Sequence, residues 1–283
     1  LDGDTFTVNC VPLTIQRSDP IIYPGIPSAH VHAIAGGNAF SRTMNGVNSA
    51  IDATATTCNK ALDHSNYWVP QLYHYANGQY TMVKYTGSAH YYQKRACNYA
   101  AGVTSCDKSV VPLAFPYGFR MVAGNPYRRT QNQSDPADRA IDIMCMWNGG
   151  SFEAPGFPTR PCDQIRAQVY FPSCWDGVNI DSPNHQSHVA YPAIGDFNGG
   201  VCPKSHPVAL FSLFYEFFFD TGAFGSDITH FAFANGDPTA YGLHGDFIMG
   251  WTNRTLLQTA HADCITASDC PLLGNQPTNP QTL

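Results

Sequence analysis

Turn-forming residues recur along this chain about every ten positions, and that spacing limits what it can fold into. The 283 residues include 24 Gly and 21 Pro. Between their clusters lie short alternating apolar runs, not long stretches of helical period. Residues 164–171 show this most clearly. Ile165, Ala167, Val169 and Phe171 fall on one side, and Arg166, Gln168 and Tyr170 on the other, the pattern of a half-buried strand. Tyr67, Trp68, Leu72, Tyr73 and Tyr75 give an aromatic strand, and Asn77-Gly78 is a hairpin signal into residues 79–85. Residues 208–220 (VALFSLFYEFFFD) are rich enough in aromatics to be a buried central strand. The acids agree: Glu153 and Glu216 are the only glutamates among 21 acidic residues. Aspartate belongs to turns and glutamate to exposed helices. Helix is expected only at 47–55 and 255–263. The expected fold is all-β, a single β-sandwich or jelly-roll-like domain over 1–283 with long loops and an irregular tail from about 271.

Ten cysteines, at 10, 58, 97, 106, 145, 162, 174, 202, 264 and 270, include no CxxC pair. That spacing argues against zinc-ribbon and thioredoxin chemistry and for disulfides made in an oxidising compartment. Cys97 with Cys106 and Cys264 with Cys270 bracket loops. Two glycosylation sequons, at Asn132 and Asn253, point the same way, so a secreted, extracellular protein is expected. The chain is read as a mature or trimmed form starting at Leu1, which excludes a copper site built on an N-terminal histidine amine. The net charge of −6 provides no basic stripe for nucleic acid. No apolar run reaches the roughly 20 residues that span a bilayer. Neither nucleic acid nor membrane is an expected partner, and the chain is expected to act as a monomer.

Titratable residues concentrate in three places. Residues 171–191 (FPSCWDGVNIDSPNHQSHVAY) hold Asp176, Asp181, His185 and His188 with no Lys, Arg or Glu. Residues 235–251 (NGDPTAYGLHGDFIMGW) hold Asp237, His244 and Asp246, and His30-Val31-His32 lies near the start. Only 13% of the chain is charged, so this clustering marks a site more than a solvated face. The three pieces are expected to meet in one polar cleft.

The runs SDPIIYPGIPSAHVHAIAGG, FPYGFRMVAGNP, FPSCWDGVNIDSPNHQSHVAYP, CPKSHPV and NGDPTAYGLHGDFIMGW resemble a family of fungal secreted proteins defined by a domain of unknown function, sometimes joined to WSC cell-wall-binding modules. The likeness spans about residues 17–264. It implies an extracellular location, disulfides and association with cell-wall or environmental glycans, and it implies no particular reaction.

Several chemistries compete for these residues. Glycoside hydrolysis needs two carboxylates, one with a raised pKa. Glu216, flanked by Phe and Tyr, and Asp246 are the expected pair, with His188 and His244 orienting a polysaccharide. Trp175, Asp181, His185, Trp251, Arg120 and Tyr191 are the expected substrate contacts. Alternatively Glu216 simply pairs with an arginine such as Arg166, and Asp237 simply caps its own turn. A polysaccharide lyase would use His188 with Tyr191 as base and Arg120 to neutralise a uronate. The third reading is a non-catalytic glycan- or metal-binding wall protein. HxH plus a distant histidine can hold zinc or copper, so a divalent metal is a possible cofactor, with His30, His32 and His206 as candidate ligands and Asp181 or Asp246 completing the shell.

Overall fold

The computed structural model describes residues 4–225, 227, 230–281 and 283; Leu1 lies outside them. Two antiparallel sheets carry the architecture, so the all-β reading holds. The larger has six strands in the order Thr5–Cys10, Lys84–Gln93, Ser212–Asp220, Gln164–Tyr170, Ile141–Trp147, Gly150–Ala154. The smaller has five, in the order Thr14–Gln16, His32–Gly36, Asn66–Pro70, His244–Ile248, Arg120–Gly124. Among the described residues there are also three short three-stranded sheets.

The sheets pack face to face because alternate residues of each are apolar. Phe6, Val8, Ile143, Ile165, Ala167, Val169, Leu213 and Phe217 from the larger sheet join Ala33, Ala35, Val69, Met121 and Phe247 from the smaller in one buried cluster. Tyr67 reaches across to stack on His90 at 3.8 Å between ring centroids, and its hydroxyl meets that of Tyr92 at 2.8 Å. Trp251 Nε1 donates to Tyr92 at 2.9 Å. Trp251 is therefore a core residue, fully buried, and not the exposed sugar contact its polar neighbours implied.

Local readings fare unevenly. Residues 72–76 and 79–82 form the hairpin, with Asn77 at φ 52° and Gly78 at φ 77°, the left-handed pair a tight two-residue turn needs. Helix forms at Arg254–Asp263, capped by the exposed Asn253, whose side chain accepts from Leu256 N. Residues 47–55 are turns, not helix. The tail is packed as far as residue 276: Leu273 is buried and Gln276 N donates to Asn59 O. All ten cysteines are paired, as 10–58, 97–106, 145–162, 174–202 and 264–270.

The outer face of the smaller sheet positions the site. Part of it is roofed by residues 17–31 and 37–55, where Ile21, Phe40, Met44 and Ala50 pack on Ile34, Trp68, Val122 and Ile248. On the Ile248-bearing face of the same strand, His244 and Asp246 lie beyond that roof, because residues i, i+2 and i+4 of a strand share a face. Gly245 between them faces the core, where an added Cβ would lie 2.9 Å from the Phe171 ring.

Candidate metal centre

Three histidines from two distant segments meet on this face. One ring nitrogen from each of His30, His32 and His244 lies within 4.8 Å of the other two. His30 Nε2 and His244 Nε2 are 3.0 Å apart. Two nitrogens about 2.0–2.1 Å from one ion, at tetrahedral or square angles, are themselves about 2.9–3.4 Å apart. His32 opens its strand and His30 precedes it, yet their ring centroids lie 4.4 Å apart with the planes tilted by 55°.

The outer hydrogen bonds set the tautomers. His32 Nδ1 lies 3.1 Å from Ser18 O, and His244 Nδ1 lies 3.0 Å from Gly242 O. A carbonyl only accepts, so each Nδ1 carries the proton and each Nε2 presents a lone pair. His32 Nε2 is buried and has no hydrogen-bond partner among the described residues. Carbonyls behind the imidazoles with lone pairs converging in front are the usual outer support of a metal site. Burial, reinforced by neighbouring histidines, keeps His32 neutral, pushes His30 down to about 3 and, by burial, His244 to about 4.

The centre opens into a cleft of about 510 Å³ lined by His30, His244, Asp246, Asp19, Asn125, Tyr127, Asn184, Gln186 and Asn235. All three titratable pieces thus contribute to it, the 171–191 stretch through Asn184 and Gln186. Asp246 is buried, and neither of its oxygens has a partner among the described residues. Burial first, and then the nearby Asp19, hold its carboxyl far above the usual range. Its carboxylate stands outside the histidine cluster, as a neighbour in the cleft and not a fourth ligand.

Among the cleft residues that sequence reasoning missed, with Asn125, Asn184, Gln186 and Asn235, is Asp19. It sits in an Asp-Pro step that reads as irregular chain, and its Oδ1 accepts from the amides of Ile21 and Ile22. No local signal places this turn against the sheet; the apolar contact of Ile21 with the sheet's outer face and the bond from His32 Nδ1 to Ser18 O do so.

Other expected site residues lie elsewhere. Glu216 projects from the opposite side of the sandwich. Its neighbour Tyr215 points into the core and donates to Asp246 O at 3.0 Å, so the Glu216 side chain faces outward on the far sheet. There it pairs with Arg166 at 3.0 Å and accepts from Tyr91 at 2.8 Å. Glu216 and Asp246 therefore do not form a carboxylate pair. Neither do His188, Tyr191 and Arg120 form a lyase centre. His188 donates to Arg120 O, Tyr191 donates to Tyr170 O, the Arg120 side chain is buried, and none of the three lines the cleft. His185 is paired with Asp181 at 2.7 Å. Trp175 donates to Asn179 O, and Asp237 caps its own turn through Thr239 and Gly242. His206 meets Ser187 O and is not part of the His30, His32 and His244 group. Asn132 and Asn253 are both exposed, as glycan acceptors need to be.

A second group, His74, Asp227 and His230, also has ligand atoms within reach of one another. Here Asp227 lies between the two rings, 3.1 Å from His74 Nε2 and 2.7 Å from His230 Nδ1, so one carboxylate already serves both imidazoles.

Fold and site together define an antiparallel β-sandwich protein with a three-histidine centre, two rings buried and one half-buried, beside a cleft. The chain belongs to the family described as "Domain of unknown function (DUF1996)", whose model matches residues 19–251 and so takes in all three histidines and both aspartates. No curated protein and no solved structure matches the chain.

Proposed function

We propose that this is a secreted, metal-dependent hydrolase of a polysaccharide, with one divalent ion held by His30, His32 and His244. The observation that carries the reading is the convergence of two carbonyl-anchored imidazoles and a third on a cleft wall. Three protein ligands leave a coordination position open, which separates catalytic from structural zinc-type sites. All-nitrogen ligation suits zinc or copper over calcium or magnesium. When bound, the ion would activate a water or polarise the bond to be cleaved.

The chain's own residues do the rest. Asp246, buried in the cleft wall beside the centre, is the carboxyl we assign to proton exchange with the attacking water or the leaving oxygen. Asn125, Asn184, Gln186 and Asn235 offer amide donors and acceptors that match sugar hydroxyls. Secretion is supported by five disulfides and two exposed sequons. The fungal cell-wall setting rests on the sequence resemblance.

A polysaccharide panel, run with and without chelator and with metal restored, tests the proposal. New saturated reducing ends that vanish on chelation and return with the ion are the expected result. Unsaturated ends absorbing in the ultraviolet would place the reaction among the lyases. Turnover indifferent to chelation would remove the ion from the chemistry.

A further inference from the structure

Beside the cleft lies a second hollow of about 540 Å³, lined by Tyr73, Tyr80, Phe233, Ala232, Pro238 and Arg17 among others. The two hollows share Ala29, His30 and Ala234, so they form one trough with His30 at its waist. We propose that this second hollow is a binding arm for a neutral polysaccharide, whose chain continues across His30 into the cleft. This rests on the reading that the histidine centre is the active one, and it adds the substrate class and the path of the chain.

Three features carry it. The first is the exposed aromatic surface. Tyr80 is 66% and Tyr75 39% exposed, with their rings 4.7 Å apart, and Tyr73 meets Tyr80 edge-on at 6.4 Å. Rings left in water on a hairpin contribute little to folding, whereas a flat apolar face with a hydroxyl at its rim suits a pyranose, which has a C–H face and a polar edge. On the cleft side of His30, Tyr127 stands 82% exposed. Tyrosines therefore line both hollows, with His30 shared between them.

The second feature is charge. The acidic and basic side chains lining the trough, its histidines apart, are Arg17, Asp19 and Asp246. Arg17 directs Nε and Nη2 at Ser28 O, at 3.0 and 2.8 Å. No other lysine or arginine lines the trough to pair with the carboxylate that a polyuronate carries on each sugar. A neutral chain needs no such partner.

The third feature is length. The trough runs on both sides of His30, so it accommodates sugars on both sides of the bond presented to the centre. A pocket for chain ends would close on one side.

Calorimetric titration of the chelator-treated protein tests the arm separately from the ion. The probes are β-1,3- and β-1,4-linked glucose hexaoses, N-acetylglucosamine hexaose and a hexauronate. At least one neutral hexaose is expected to bind the metal-free wild type, with Tyr80→Ala and Tyr73→Ala each weakening it at least tenfold and the hexauronate binding more weakly. Tyr80 is exposed, so its removal leaves folding intact, and an unchanged melting temperature verifies this. The proposal is overturned if no neutral hexaose binds, if Tyr80→Ala binds like wild type, or if the hexauronate binds tightest. Metal content is measured apart from this titration. Sugar binding in a protein that takes up no metal would leave the arm standing and remove the catalytic reading.

Discussion

Replacing Asp246 by leucine should make the metal-free protein more stable while abolishing turnover. Asp246 is 1% exposed, and neither carboxyl oxygen has a protein partner among the described residues. A buried polar group without a partner costs about 1–3 kcal/mol relative to its hydrated state in the unfolded chain. Leucine removes that cost, and its extra volume has somewhere to go because residue 246 borders the 510 Å³ cleft. A domain of this size shifts its midpoint by about 2–4 °C per kcal/mol, so the variant should melt about 2–12 °C higher. Asp246→Asn keeps an amide that also lacks a partner and should gain less. Urea and thermal melts of chelator-treated protein provide the assay, with an unchanged urea slope showing that the denatured state is the same. A leucine variant destabilised by more than about 1 kcal/mol, still active, would refute the reasoning and make Asp246 a structural residue.

Three further outcomes follow from the geometry. Glu216→Gln should keep near-wild-type turnover, since Glu216 serves Arg166 and Tyr91 on the opposite face, and should lose about 1–3 kcal/mol in a urea melt. Burial, against the pull of the Gln168 amide, raises Asp142 from 3.8 to about 7. The folded state then holds a proton that the unfolded chain releases between about pH 4 and 7, so stability falls as pH rises through that window; Asp142→Asn should abolish the fall, with up to about 4 kcal/mol gained at pH 8 and nothing at pH 4 by thermal melting. Opening the Cys10–Cys58 bridge by double alanine substitution frees a loop with a separation of 48 residues, worth about 4 kcal/mol of denatured-state entropy, and a melting point lowered by about 10 °C is the expected reading.

How far the sequence can be read depends on which property a residue's role rests on. Alternation along residues 164–171 assigns Ile165, Ala167 and Val169 to the core because the other face is polar, and all three are fully buried. The Ser212–Asp220 strand has aromatics on both faces, so period two cannot say which way Glu216 points. That ambiguity allowed it to be paired with Asp246 across what is in fact the thickness of the sandwich. His30, His32 and His244 are visible as a motif plus a distant partner, but their grouping depends on the Asn66–Pro70 strand lying between the strand that His32 opens and the strand that His244 opens. Trp251 shows the converse error, since a tryptophan beside a polar loop looks available until its indole is found bonded to Tyr92 in the core. Asp19 belongs to an irregular segment whose position is set by tertiary contact alone.

The ion itself is the most direct test. Purified wild-type protein, stripped and reloaded with zinc or copper, is analysed for bound metal by mass spectrometry, alongside His32→Ala and His244→Ala variants verified as folded. One equivalent per chain in the wild type, lost from both variants, is what the three converging imidazoles predict. A folded wild type that takes up neither metal, or variants that retain a full equivalent, would contradict it.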